Sequence, residues 1–278
     1  MSAVSESVVA ALPMYDLPEL RWATDLLWHG LARHLRLAGL GEVPAALTRP
    51  QETAAVWGEP GLLLAQTCGY PLTHAFRDRL LVVGAPVYEA EGCEPESRFG
   101  PTYRSAIVVR ADEPALGVAE LAGRRAAING RDSQSGMSAL RALVAPHARK
   151  GRFFGEVVET GAHAASAAAV AAGRADVAAI DCVTWALLGD VRPDAVAPLR
   201  VLAWSTPAPT LPFVTSLAHI DEVHRIAVAL TETVEDDRLA EACAALRLAG
   251  MAAPEAADYR RILEIESAAE AQGYPVLQ

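Results

Sequence analysis

The chain has no excess of positive charge, no long apolar run and few cysteines, and each shortage removes a class of function. Its formal net charge is −10, with 34 acidic against 24 basic residues. A surface of that sign repels a phosphate backbone, which excludes a nucleic-acid partner, and any small anion must be held by local donors rather than by a basic face. The N-terminus, MSAVSESVVAALPMYD, carries no basic leader, no long apolar core and no lipobox-like cysteine. The run Val8–Leu12 falls far short of the roughly 20 apolar residues of a membrane span. The expectation is no membrane insertion and no visible signal peptide: cytoplasmic as written, periplasmic if the gene start is truncated. The four cysteines, Cys68, Cys93, Cys182 and Cys243, include no C-x-x-C and no zinc spacing. Buried free thiols are the default; a Cys68–Cys93 disulfide stays open, because both residues sit in polar loops after candidate strands. His29 and His34 are five apart on one helix, as are His219 and His224, so neither pair shares a face as i, i+4 ligands do, and no metal site is expected. No repeat of 20–50 residues appears.

What is present is a 278-residue chain, 52% hydrophobic and 21% charged, enough for two packed lobes. Apolar runs alternate with helical spacing: strands are expected at Val8–Leu12, Ala45–Thr48, Leu62–Gln66, Leu80–Tyr88, Tyr103–Arg110, Ala126–Asn129, Glu156–Glu159, Asp176–Ile180 and Leu199–Trp204. A first helix carries Trp22, Leu26, Leu27, Leu31 and Leu35 as its apolar face and stops at Gly39; the chain closes on two or three amphipathic helices, including Ile220–Val234 and Tyr259–Ala271. Alternation of this kind predicts an α/β fold with mainly parallel sheets flanked by helices. Two chain crossings, near Ile107–Arg110 and Trp204–Thr206, predict a double hinge between two lobes. Lobe 1 would comprise residues 1–107 plus 206–278, and lobe 2 residues 108–205. Ligands of such sheets bind beyond the C-terminal strand ends, here Tyr15, Thr67–Tyr70, Asn129–Ser135, Thr160–His163 and Asp181, lining one cleft.

The most informative stretch is Asn129–Leu143, NGRDSQSGMSALRAL. A strand ends at Asn129, a polar turn follows, and Ser135-Gly136 opens a run with Met137, Leu140 and Leu143 at helical spacing. Ser135 is the expected N-cap. A strand, a small-residue turn and a helix start form an anion site, since free N–H groups and the positive end of the helix dipole converge there. Ser133 and Ser135 add hydroxyl donors. An ordinary capped loop is the competing reading.

The succession AQTCGYPL, VVGAPVYEAEGC, YRSAIVVR, LAGRRAAING-RDSQSGMSALR, ETGAHAAS, AAGRADVAAIDC and a proline-rich return strand resembles the phosphate/phosphonate-binding proteins of ABC importers, typified by the periplasmic phosphonate-binding protein, from about Tyr15 to about Thr215. The resemblance implies a two-lobed type 2 periplasmic-binding-protein-like fold. It implies reversible binding of a small oxyanion of the phosphonate, phosphate or phosphite class, no cofactor, and an ABC permease as partner. The family's S-T-S-G turn maps to Ser133, Gln134, Ser135 and Gly136, with Asn129 at the strand end; Gln134 stands where a small hydroxyl residue is common. The family's histidine maps to His163, and its acid, which can meet a ligand amine, to Asp181. Aromatic covers from the first lobe would be Tyr15 and Tyr70, ahead of Tyr88 and Tyr103. The alternative is a cytosolic enzyme on the same scaffold, such as a menaquinone-pathway dehydratase or a thiamin-pyrimidine synthase. Ser133, His163 and Asp181 supply the residue types of a triad, but no G-x-S-x-G elbow holds them.

Overall fold

The computed structural model describes residues 8–253 and 258–278; the first seven residues of the N-terminal stretch read above lie outside the described residues. Among the described residues twelve strands follow in chain order: β1 (Val9–Ala11), β2 (Leu62–Gln66), β3 (Leu80–Tyr88), β4 (Thr102–Tyr103), β5 (Ser105–Arg110), β6 (Arg125–Ile128), β7 (Glu156–Glu159), β8 (Val177–Asp181), β9 (Leu199–Trp204), β10 (Ala208–Pro209), β11 (Phe213–Ser216) and β12 (Leu248–Ala252). The chain divides into two compact units. The first holds Met1–Glu89, Pro95–Pro101 and Thr210–Asp258; the second holds Ala90–Glu94, Thr102–Pro209 and Tyr259–Gln278.

The first unit is built on a sheet of order β1-β2-β11-β3-β12. β2 is buried at every residue, as an apolar run covered on both faces must be. β1 pairs with it in parallel, whereas β11 runs antiparallel between β2 and β3 and β12 antiparallel beside β3. The helix Arg21–Leu37 buries Ala23, Leu27, Leu31 and Leu35, an i, i+4 stripe, with Trp28 beside it fully inaccessible. Trp22 and Leu26, expected on that face, are 46% and 37% exposed. Each lies one residue, about 100° of turn, off the buried stripe. No strand forms at Ala45–Thr48; one bond, Thr48 N–H to the Ala10 carbonyl at 2.7 Å, ties that segment to β1.

The second unit has a sheet of order β7-β6-β8-β5-β9. β7, β6 and β8 are mutually parallel neighbours, and β5 inserts antiparallel between β8 and β9. The expected mainly parallel character therefore holds for β6–β8, while β5 in this sheet and β11 and β12 in the first run against their neighbours. The C-terminal residues 259–278, expected with the first unit, belong to the second. Buried Arg141 donates to the Pro275 carbonyl at 2.6 Å and to Glu266 at 2.9 Å, and the Phe153 and Phe154 amides donate to the Gln278 carbonyl at 2.8 and 3.1 Å. Likewise β5 lies wholly in the second unit, so the first passage comes before Thr102 and not at residue 107.

Among the described residues no helix is long and apolar enough to cross a membrane, and no group of three His, Cys, Asp or Glu side chains is placed to hold a metal ion. The four cysteines are free thiols. Cys68 and Cys93 belong to different units and do not pair; the neighbour of Cys93 is Cys182, at 3.4 Å between sulfurs.

Candidate functional site

Because β7, β6 and β8 are adjacent and parallel, their C-terminal ends share one edge of the second sheet. That edge carries Asn129 after β6, Thr160–His163 after β7 and Asp181 at the end of β8. The β6 turn is central, and the Thr160 amide and hydroxyl both donate to the Ile128 carbonyl, at 2.9 and 3.0 Å, drawing the β7 loop onto it.

The turn opens a helix in an unusual way. Ser133, and not Ser135, is the N-cap: its Oγ accepts the Gly136 amide at 2.9 Å. The Ser138 amide then bonds the Ser133 carbonyl at 3.0 Å, an i to i−5 bond that makes Gln134–Ser138 one wide π-type turn before the α-helix Ala139–Val144. Such turns cost regular hydrogen bonding and recur where a backbone must open for function. Gly136 is sterically required, since a Cβ there would collide with Asn129 Oδ1 and lie 3.3 Å from the His163 ring.

Six expected residues, Gly136 among them, meet at this turn. Ser133 and Ser135, 4% and 3% exposed, bring their hydroxyls to 3.5 Å. His163, first residue of the helix His163–Ala171, places Nε2 2.7 Å from Ser135 Oγ. Asn129 lies against Gly136, and its Oδ1 is buried without a hydrogen bond among the described residues. Ser105 Oγ, from β5, donates to the Ser135 carbonyl at 2.9 Å and anchors the turn to the sheet; the sequence offered no sign of that role. Gln134 is buried at 1% exposure. Burial pushes the His163 pKa down to about 4, opposed only in part by the Ala179 carbonyl, so the ring is neutral at neutral pH. Its Nδ1 is buried and makes no hydrogen bond of good geometry among the described residues.

Asp181 is 1% exposed and caps a helix of its own. Oδ1 accepts the Val183 and Thr184 amides at 2.8 and 3.0 Å, starting Cys182–Val191. A Ser–His contact without a carboxylate on Nδ1 lacks the orienting member of a triad, and Asp181 is engaged at the next strand end. The tyrosines divide between the units. Tyr15 is buried in the first unit, edge-on to Tyr88 at 5.2 Å, and Tyr88 Oη accepts from Gln66 at 2.8 Å. Tyr70 stacks on His74 at 3.8 Å in the short helix Gly69–Thr73. Tyr103 is buried on β4 in the second unit.

No curated protein sequence matches the chain. Solved structures match over nearly its full length at low identity, and so show the fold. A binding-protein component of an ABC phosphonate transporter from Pseudomonas aeruginosa is 14% identical, with a TM-score of 0.71 over 97% of this chain and 87% of that one. PhnD1 from Prochlorococcus marinus, in complex with methylphosphonate, is 15% identical, with a TM-score of 0.70 over 95% and 98%. A Xanthomonas citri protein bound to ATP is 16% identical, with a TM-score of 0.69 over 96% and 98%. The fold is accordingly that of the two-lobed type 2 periplasmic binding proteins. The family model for periplasmic phosphonate substrate-binding proteins of ABC transporters matches residues 64–259, which takes in the end of β2 from Leu64, the Ser133–Gly136 turn, His163 and Asp181. The chain belongs to that family, the periplasmic substrate-binding proteins of phosphonate ABC transporters.

Proposed function

We propose that this chain reversibly binds a small phosphonate, or the related phosphate or phosphite, at the turn after β6, and delivers it to an ABC permease. The observation that carries the reading is the gathering of Ser133 Oγ, Ser135 Oγ and His163 Nε2, each within 3.5 Å of the next, at a helix start. First-turn amides there have no preceding carbonyl of the helix to bond, and the helix dipole favours negative charge. No cationic side chain is needed, in keeping with a net charge of −10: neutral donors in a buried site bind an anion through charge-assisted hydrogen bonds.

The histidine sets the direction of the Ser135 proton. With Nε2 accepting, the hydroxyl hydrogen points into the ring. With Nε2–H donating, that hydrogen is released toward an oxyanion. The reading is tested by calorimetry with methylphosphonate, phosphate and phosphite on the parent and on the Ser133→Ala/Ser135→Ala double variant. Binding of at least one of these ligands by the parent, and its loss in the double variant with an unchanged far-UV spectrum, is the expected result. Equal affinities in both proteins would remove the turn from the site.

A further inference from the structure

Two thiols lie together in the second unit, apart from the turn after β6. Cys93 Sγ and Cys182 Sγ are 3.4 Å apart. Cys182 opens the helix capped by Asp181 and is 1% exposed. Cys93 is half-buried and borders an open pocket of about 320 Å³ lined with Glu91, Glu94, Arg104 and Trp204. The pairing is built rather than incidental. Residues 90–94 are held to the second unit by two reciprocal bonds between Glu94 and Thr102, at 2.9 and 2.8 Å, and by the ion pair of Glu94 with Arg104 at 3.1 Å. Gly92, at φ +95°, lets the segment come in close: a Cβ there would lie 2.8 Å from the Trp204 ring and 3.2 Å from Cys182 Cβ. Joining them as a disulfide closes the 3.4 Å separation to a bond of about 2.05 Å.

We propose that Cys93 and Cys182 form a redox-active dithiol, a modification site that closes to an intrachain disulfide when it meets a small-molecule disulfide. The accessible partner starts the exchange. The Cys93 thiolate attacks one sulfur of the small disulfide, that disulfide bond breaks, and one small thiolate leaves. Cys182 then attacks the Cys93 sulfur. Its proton passes to the second departing thiolate as the mixed disulfide breaks. The two protein thiols are oxidised and one small disulfide is reduced to two thiols. The order follows from access: Cys93 is half-buried at the open pocket and Cys182 is 1% exposed, so the small disulfide meets Cys93 first.

The test treats the reduced full-length protein with oxidised glutathione in native buffer, quenches by alkylation and maps peptides by mass spectrometry. The expected product is a Cys93–Cys182 cross-linked peptide with the loss of two hydrogen masses. Cys68 and Cys243, at 9% and 5% exposure, should remain unoxidised. Cys182→Ser should trap glutathione on Cys93. Should that variant not fold, Cys93→Ser, at the half-buried position, should show neither cross-link nor adduct. The proposal is overturned if the parent keeps both thiols free for alkylation, if it accumulates a stable glutathione adduct on Cys93 without the cross-link, or if Cys93→Ser takes up glutathione on Cys182.

Discussion

Two helices leave the same edge of the second sheet, one after β6 and one after β8, and they are capped by opposite chemistries. After β8 a carboxylate closes the helix: Asp181 Oδ1 takes two amides, at 2.8 and 3.0 Å. That helix end is satisfied from within, by two amides on one side-chain oxygen. After β6 a hydroxyl does the capping. Ser133 Oγ accepts the Gly136 amide at 2.9 Å yet keeps its own O–H to donate. The π-type turn, Ser135 and His163 add polar atoms beside it. One helix start is capped by a carboxylate and the other by a hydroxyl, and the proposed anion site uses the second. If the proposed site is right, the same local motif, a polar cap after a parallel strand, serves one helix as a joint and the other as a place for an anion.

The strongest way to break this comparison is to make the two caps alike. Ser133→Asp retains a good N-cap, so thermal stability should change little. It also places a carboxylate where the oxyanion would sit. Calorimetry should then detect no binding of methylphosphonate, phosphate or phosphite. Retained affinity would mean that the cap's charge is irrelevant and the anion binds elsewhere. A milder version removes one donor. Ser135→Ala should weaken the anion that the parent binds by about 1.5–3 kcal/mol, the contribution of a hydrogen bond to a charged group, with the circular dichroism spectrum unchanged.

The reverse perturbation sharpens the other side. Asp181→Ala should cost about 0.5–2 kcal/mol of stability through the lost cap, and Asp181→Asn much less, because the amide oxygen still accepts. Denaturant melts of the three proteins check the order. Affinity for methylphosphonate and for an aminoalkylphosphonate should be equal in parent and Asp181→Asn. A loss confined to the amine-bearing ligand would give this carboxylate a ligand to meet as well as a helix to cap.

How much of this was legible beforehand depends on how local the signal is. Leu62–Gln66, Leu80–Tyr88, Glu156–Glu159 and Leu199–Trp204 match strands residue for residue, since each is an apolar or β-branched run bounded by turn formers. β11 and β12 were not legible. Phe213–Ser216 is a four-residue run straight after a proline-rich connector, and Leu248–Ala252 is interrupted by Gly250 and rich in alanine, so neither alternates. The S-x-S-G stretch pointed to a capped helix start but not to which serine caps it. Two hydroxyls two residues apart are equivalent to a sequence pattern, and the choice falls to the Gly136 amide, which Asn129 packs against. The π-type register has no sequence signature at all. Nor could spacing show that Cys93 faces Cys182, 89 positions away: that contact depends on how residues 90–94 return to the second unit. The place of the last helix was misread for the same reason, because its amphipathic pattern says that one face is buried and not against what.

The smallest expected effect concerns the histidine, and it separates burial from ligand binding. An unfolded histidine takes its proton near pH 6.5, whereas burial holds His163 to about 4 in the fold. Between these values the unfolded chain binds the additional proton. Linkage then requires this residue's contribution to stability to fall as pH drops from about 6.5 toward 4, with no further loss below that, where both states are protonated. His163→Gln has no such term. The melting temperature of the parent relative to this variant should therefore decline across that window and stay flat above it. An oxyanion at the turn stabilises the imidazolium more than the imidazole, raising the folded pKa and narrowing the window from its acid end. In ring-proton NMR of the parent, His163 should remain neutral at pH 5 without ligand. With saturating ligand its midpoint should move upward. A midpoint near 6.5 in the free protein would mean that the ring is solvated, and the 2.7 Å contact with Ser135 would then not be the closed, buried pair on which the contrast between the two helix starts depends.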